Sequence, residues 1–175
     1  MQIFLASDHR GYDLKGRLCA NLPRALIGLS TPVNIIDLGP KSYDPNDDYN
    51  DAARAVAQAV LNAEKITRPA GGREVFGILI CGSAIGISIQ ANRFKGIRAA
   101  VVTNLETAES SRSHNDANVL CLSADAINSA EDPLESEKAY EDLFAIIEKF
   151  LTTPFSGEAR HLRRIKRLDE EVTRP

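Results

Sequence analysis

The amino-acid sequence predicts an α/β fold, a five-stranded parallel sheet covered by helices on both faces. Three observations predict it. Short apolar, β-rich runs alternate with amphipathic stretches, and the links between them are short. The strand runs are nearly continuously apolar, as in strands buried on both sides. The length of 175 residues suits one domain with a full core.

The elements follow in order. Strands are expected at 2–6, 33–37, 75–80, 97–102 and 118–122. Helices are expected at about 11–28, 51–64, 85–94, 105–113 and 133–151. In the last of these, Leu134, Tyr140, Leu143, Phe144, Ile147, Phe150 and Leu151 recur near helical spacing. Pro133 suits the first turn of that helix. The Pro/Gly-rich segment 67–73 reads as an exposed loop, and 129–133 as a turn. A basic tail over about 155–172 reads as a terminal helix packed on the body or on a partner subunit. The whole chain, 1–175, reads as a single domain with its core in about 1–151.

Composition excludes several function classes. The chain is 43% hydrophobic and 26% charged, with a formal net charge of −3. That balance points to no nucleic acid and no anionic membrane surface. No apolar run approaches the roughly 20 residues that span a bilayer. The start, Met1-Gln-Ile-Phe-Leu-Ala6, lacks the basic region and longer apolar core of a signal peptide. Cys19, Cys81 and Cys121 are an odd number with no CxxC pair, so neither a disulfide framework nor a metal site is indicated. A cytoplasmic setting is the simplest expectation.

Four clusters could carry chemistry. Cys81-Gly82-Ser83-Ala84-Ile85-Gly86-Ile87 follows the third strand and opens a helix. A strand turning through small residues into a helix leaves backbone N–H groups free to hold an anion. A cysteine beside that positive field is expected to have a lowered pKa and an accessible thiolate. Tight packing around an inert thiol is the plainer reading. Ile87 stands where a phosphatase loop needs arginine, and the run lacks the Gly-Lys-Ser/Thr ending of a P-loop. Ser7-Asp8-His9-Arg10-Gly11 follows the first strand, where Asp8 could equally be a helix N-cap. Ser113-His114-Asn115-Asp116 precedes the fifth strand and could be a simple polar turn. Arg160-His161-x-x-Arg164 places two guanidiniums near one face of a helix, a fork suited to phosphate or a solvated basic face. A doubly wound sheet can gather such loops at one edge. Together they would suit a phosphorylated sugar.

On these residues the chain resembles the type B ribose-5-phosphate isomerases and the related galactose-6-phosphate isomerase subunits. The matching runs are Ser7-Asp8-His9-x-Gly11-x-x-Leu14-Lys15, Asp48-Tyr49, Gly77 to Ile89, Ala91 to Ala99, Arg112 to Leu120, and Arg160-His161-x-x-Arg164. The resemblance implies a Rossmann-like three-layer α-β-α sandwich with a C-terminal helical extension. It also implies a homodimer with shared active sites, able to pair into a tetramer, and no metal or other cofactor. The reaction implied interconverts an aldose phosphate and a ketose phosphate, in the pentose phosphate pathway. Cys81 would be the base and Ser83 would assist the shifting oxygen. The backbone of Gly82, Ala84, Ile85 and Gly86 would hold the enediolate oxygens. Asp8 and His114 would open the sugar ring, and Asn115 would bind a substrate oxygen. His9, Arg160 and Arg164 would bind the phosphate, with His161 close by and Tyr49 lining the pocket.

Three departures stand out. Asp125 occupies the place of a phosphate-binding arginine, and a carboxylate there repels a phosphate unless Arg10 or Arg163 compensates. Ala84 replaces a glycine. Asp48-Tyr49-Asn50-Asp51-Ala52 alters one pocket wall. Asp125 motivates an alternative substrate, a hexose 6-phosphate or a tetrose phosphate. A further alternative is a binding protein that retains the fold without catalysis.

Overall fold

The computed structural model describes residues 1–29, 31–66, 74–128 and 133–170. The expected loop at 67–73 and nearly all of the turn at 129–133 lie outside these residues. So does the end of the tail, from 171 onward.

Hydrophobic alternation along the strands builds three layers. β1 (Gln2–Ser7) sends Ile3 and Leu5 to one face and Phe4 and Ala6 to the other. β3 (Val75–Cys81) sends Phe76, Ile78 and Ile80 to the first face and Val75, Leu79 and Cys81 to the second. The first face is covered by α1 (Tyr12–Ala25), α4 (Leu105–Ser113) and α6 (Pro133–Thr152), through Leu14, Leu18, Leu22, Ala108, Leu143, Ile147 and Phe150. The second is covered by α2 (Tyr49–Ile66) and α3 (Ile85–Ala91), through Ala53, Val56, Ala57, Val60, Ile87 and Ala91. Each apolar helical stripe thus buries against one row of strand side chains.

With β2 (Asn34–Asp37), β4 (Ala99–Val101) and β5 (Val119–Ser123), the sheet has five parallel strands in the order β2-β1-β3-β5-β4. The chain winds from β1 to β2 in one direction and from β3 to β5 in the other. The reversal lies between β1 and β3, the crevice where such sheets bind ligands beyond their carboxyl ends. The α/β three-layer expectation is met.

Local differences have local causes. α3 ends at Ala91, three residues early, because the Asn92 side chain leaves the helix to pair with β4. It donates to Ala99 O and accepts from Ala99 N, both at 2.8 Å. β4 is only three residues long. A short helix absent from the sequence reading, α5 (Ala124–Asn128), follows β5 directly. The tail forms α7 (Ala159–Leu168) and packs on the body, with His161 buried and Asp169 accepting from Gly96 N at 3.0 Å.

β3 runs beneath α2 at a separation that admits no side chain at Gly77. A Cβ there would lie 2.5 Å from Val56 Cγ1 and 3.0 Å from Val119 Cγ2. Gly77→Ala is therefore expected to destabilise the fold by about 1–3 kcal/mol through overpacking. Chemical denaturation should show a lower midpoint at an unchanged slope.

Candidate active site

Two of the four clusters meet at the crevice between β1 and β3. Asp8 follows β1, and its N–H donates to Ile80 O of β3 at 3.1 Å. Its side chain caps a short 3-10 turn, His9–Gly11, by accepting from Gly11 N at 3.1 Å. The capping role is real, and it fixes the carboxylate at the edge of the crevice. Asp8 is only 4% exposed. Burial pushes its carboxyl above the usual range, against the Gly11 N–H and His9, which lower it.

His9 turns toward the loop after β2. Asp47 Oδ1 lies 2.8 Å from both the His9 N–H and the ring Nδ1. The hydrogen bond to Asp47 raises the imidazole's pKa, so His9 holds its proton to higher pH. Arg10 turns the other way, to Asp125 in the first turn of α5. Its Nη2 and Nε both donate to Asp125 Oδ1, at 2.6 and 3.2 Å. Of the two arginines offered as compensation for Asp125, Arg10 takes that place.

The Cys81 turn lies between these two arms. The backbone N–H groups of Ile87, Ala84 and Ser83 favour the Cys81 thiolate and lower its pKa. Cys81 is nevertheless buried, at 4% exposure, and its thiol is pushed up, first by desolvation. The expected lowered pKa and accessible thiolate are therefore corrected. α3 has only seven residues, and its few N–H groups do not offset the loss of water around the sulfur. Ser83 and Ile85 face solvent, and Ser83 Oγ accepts from Ile85 N at 3.4 Å. Ala84 adopts φ +64°, the left-handed conformation that its replacement of glycine makes costly. Tyr49 lies directly over Gly86, where a Cβ would meet the ring at 2.6 Å. The tyrosine thus lines the turn.

The other two clusters lie elsewhere. His114 and Asn115 precede β5, whereas Cys81 ends β3. The register pairs Gly77 with Val119 and Cys81 with Ser123. The paired stretch alone separates the two edges by about 13 Å. The expectation that all these loops gather at one edge is corrected, because a loop before a parallel strand emerges at the amino edge. α7 lies at that edge as well. The ring of its His161 lies against that of His114 at a tilt of 42°, with centroids 4.6 Å apart, and Ser156 Oγ lies 2.7 Å from His161 Nδ1. Arg160 and Arg164 are exposed one helical turn apart, with Arg160 Nε 2.7 Å from Glu158. Asp116, at φ +46°, makes the turn and bridges Arg98 and Arg112, leaving His114 and Asn115 exposed. One chain therefore carries its candidate site residues in two groups at opposite edges of its sheet.

The match to known proteins covers both halves. The family model for Ribose/Galactose Isomerase matches residues 3–168. The chain belongs to the ribose/galactose isomerase family. That places it among the aldose–ketose isomerases. It is 34% identical over 170 residues to the ribose-5-phosphate isomerase B of Mycolicibacterium paratuberculosis, covering 97% of this chain and 91% of that one. A crystal structure of ribose-5-phosphate isomerase B from Mycoplasma genitalium with bound ribulose-5-phosphate is similar at a TM-score of 0.75 and 36% identity, over 95% of this chain and 93% of that one. A ribose 5-phosphate isomerase from Thermotoga maritima has the same TM-score at 37% identity, over 97% and 98% of the two chains.

Within this family framework, sequence reading missed Asp47, Ser123 and Ser156 as partners of site residues. Asp47 was hidden in the acidic run Asp44-Pro-Asn-Asp-Asp48, where nothing marks which carboxylate reaches His9. Among the described residues, no group of three or more His, Cys, Asp or Glu side chains is placed to hold a metal ion. Among those residues, too, no helix is long and apolar enough to cross a membrane.

Two titrations check this geometry. In Asp47→Asn the His9 midpoint, followed by NMR of the ring protons, should fall toward the ordinary histidine value. The stabilisation from the raised His9 pKa is complete below the unfolded-state pKa and disappears as pH rises through the folded one. In Asp47→Asn that pH-dependent loss should shrink. Asp8 has the same sign, in the carboxylate range. Its raised pKa makes the native state bind the proton more tightly, so stability falls as pH rises from the ordinary carboxylate value to the raised one. Asp8→Asn keeps the acceptor for Gly11 N and removes the buried charge. Its Tm at neutral pH should rise by about 2–4 °C, as about 1 kcal/mol does in a chain of this size.

Proposed function

We propose that this chain interconverts D-ribose 5-phosphate and D-ribulose 5-phosphate through an enediolate, with Cys81 as the base, at a site completed by a second copy of the chain. The observation that carries this reading is the Cys81 turn. A cysteine ends the central strand at a turn whose backbone N–H groups favour its thiolate, beside the buried Asp8. A carbon acid needs a positioned base and oriented donors for the oxyanion, and this turn supplies both.

In this reading the Cys81 thiolate removes the proton from C2 and returns it to C1. Ser83 assists the shift of the hydroxyl proton from O2 to O1 as the carbonyl moves from C1 to C2, and the backbone over Gly82, Ala84, Ile85 and Gly86 holds the enediolate oxygens. Asp8 and His114 open the furanose ring as acid and base. Asn115 binds a substrate oxygen, and Tyr49 closes one wall. His9, whose imidazole holds its proton to higher pH beside Asp47, binds the phosphate with Arg160 and Arg164, and His161 supports them.

Because His114, Asn115, Arg160 and Arg164 lie at the far edge of their own sheet, a second copy must supply them. A two-fold pairing that sets the amino edge of one chain against the carboxyl edge of the other completes two sites at once. Apolar side chains suited to that contact stand exposed on the α3–β4 side, with Ile85 and Ile89 on α3, Val101 ending β4 and Leu105 opening α4. Arg10 neutralises Asp125, which favours a phosphorylated pentose despite that carboxylate.

Ketose formation from D-ribose 5-phosphate is the direct test. Cys81→Ala should reduce turnover by roughly a hundred- to ten-thousandfold. The wild-type rate should climb into the alkaline range, because the thiol is pushed up. Turnover of a hexose 6-phosphate instead, with the same Cys81 dependence, would move the substrate and keep the chemistry. Mixing inactive Cys81→Ala with inactive His114→Asn should restore activity to about a quarter of wild type as mixed dimers form. No recovery, with subunit exchange demonstrated, would rule out the shared site.

A further inference from the structure

Arg10, Asp125 and Ser123 surround one peptide bond of the Cys81 turn, and the catalytic reading above gives none of them a part in the chemistry of that turn. The Gly82 carbonyl accepts from Ser123 Oγ at 2.7 Å and from Asp125 N at 3.0 Å. On its other side, Gly82 is covered by the Arg10–Asp125 pair. A Cβ at Gly82 would lie 2.6 Å from Arg10 Nε and 3.0 Å from Asp125 Oδ2. Three loops, after β1, β3 and β5, therefore converge on this glycine.

The consequence follows from peptide planarity. The Gly82 carbonyl and the Ser83 N–H belong to one rigid plane and point in opposite directions. Whatever fixes the carbonyl also aims the N–H, and the Ser83 N–H is one of three that favour the Cys81 thiolate. The Arg10–Asp125 pair is about half exposed, with side-chain exposures of 56% and 48%. An exposed ion pair contributes little to stability. Its placement against the cradle gives it a different value.

We propose that Ser123, Asp125 and Arg10 are positioning residues that clamp the Gly82–Ser83 peptide and thereby aim the Ser83 N–H at the Cys81 sulfur. Ser123 holds the carbonyl directly. Asp125 holds it through its own N–H and anchors Arg10, which covers the glycine and keeps the peptide from turning over. Loosening the clamp withdraws one donor from the thiolate and from any oxyanion formed beside it. The other ionisable groups acting on Cys81 are Asp8 on the β1 loop and Cys121 on β5, while Arg10 itself adds a cation.

The clamp rests on the proposed isomerase reading only for its kinetic effect, so the test has a readout that needs no substrate. Thiolate absorbance of wild type minus that of Cys81→Ala gives the Cys81 titration in the full-length protein. Ser123→Ala should shift that titration upward by about half a pH unit, as expected for loss of one weak donor. In turnover of D-ribose 5-phosphate it should lower kcat about fivefold with KM nearly constant. Arg10→Ala and Asp125→Ala should each produce a smaller shift in the same direction. Their double variant should be no worse than either alone, because both remove one shared contact. The exchanged pair, Arg10→Asp with Asp125→Arg, should recover part of the loss. Unchanged Cys81 titration in Ser123→Ala and Asp125→Ala, with folding confirmed by Tm, would overturn the clamp. So would a raised KM at constant kcat in Arg10→Ala, which would make the arginine a substrate-binding group. Shifted titrations in a protein inactive on ribose 5-phosphate would uphold the clamp and overturn the substrate reading alone.

Discussion

Close approach to the backbone of β3 and the turn after it governs this molecule. Three glycines along that path stand where a single methyl group would strike a neighbour. At Gly77 the neighbour is the α2 layer, at Gly82 the Arg10–Asp125 pair, and at Gly86 the ring of Tyr49. The first contact sets the spacing between sheet and helices. The other two bring side chains from distant segments of the chain close to the turn that carries one cysteine. A central strand buried on both faces is the rigid element from which such a turn can be held in place.

The same turn concentrates groups whose burial costs stability. Asp8 and Cys81 are each nearly fully buried, and desolvation raises both. Ala84 adds backbone strain at φ +64°. These are the features expected where a fold gives up stability to hold reactive groups in place. The surrounding core, continuous on both faces of the sheet, offsets them.

In the proposed shared site, the two groups of candidate residues would give the sheet's polarity a functional meaning. In a parallel sheet every loop that follows a strand emerges at one edge, and every loop that precedes one emerges at the other. A chain with reactive residues at both edges has them too far apart to meet. A two-fold pairing brings unlike edges together without lengthening any loop. His161, buried against His114 and bonded to Ser156, makes α7 part of the amino-edge half rather than a loose tail.

Much of this was legible in the sequence, because hydrophobic period and motif spacing are local properties. The alternation of strands and helices, the Cys81 turn, the cap at Asp8 and the fork at Arg160 and Arg164 each lie within a few residues of one another. The resemblance carried by these runs pointed to the family that the comparisons show. What the sequence did not disclose depends on contacts across the fold. Asp47 reaches His9 from 38 residues away, and Asp125 reaches Arg10 from 115. The short helix α5 places that aspartate, and no periodic signal marks five residues. The Cys81 thiol was misjudged for a related reason. Local sequence shows the helix start that lowers its pKa, but the burial that raises it comes from packing by other elements. The sequence by itself thus determined which elements form and which chemical groups the chain carries. Only the tertiary structure decided which groups meet and how much water each retains, because distance and solvation are set by the packing of segments remote in the chain.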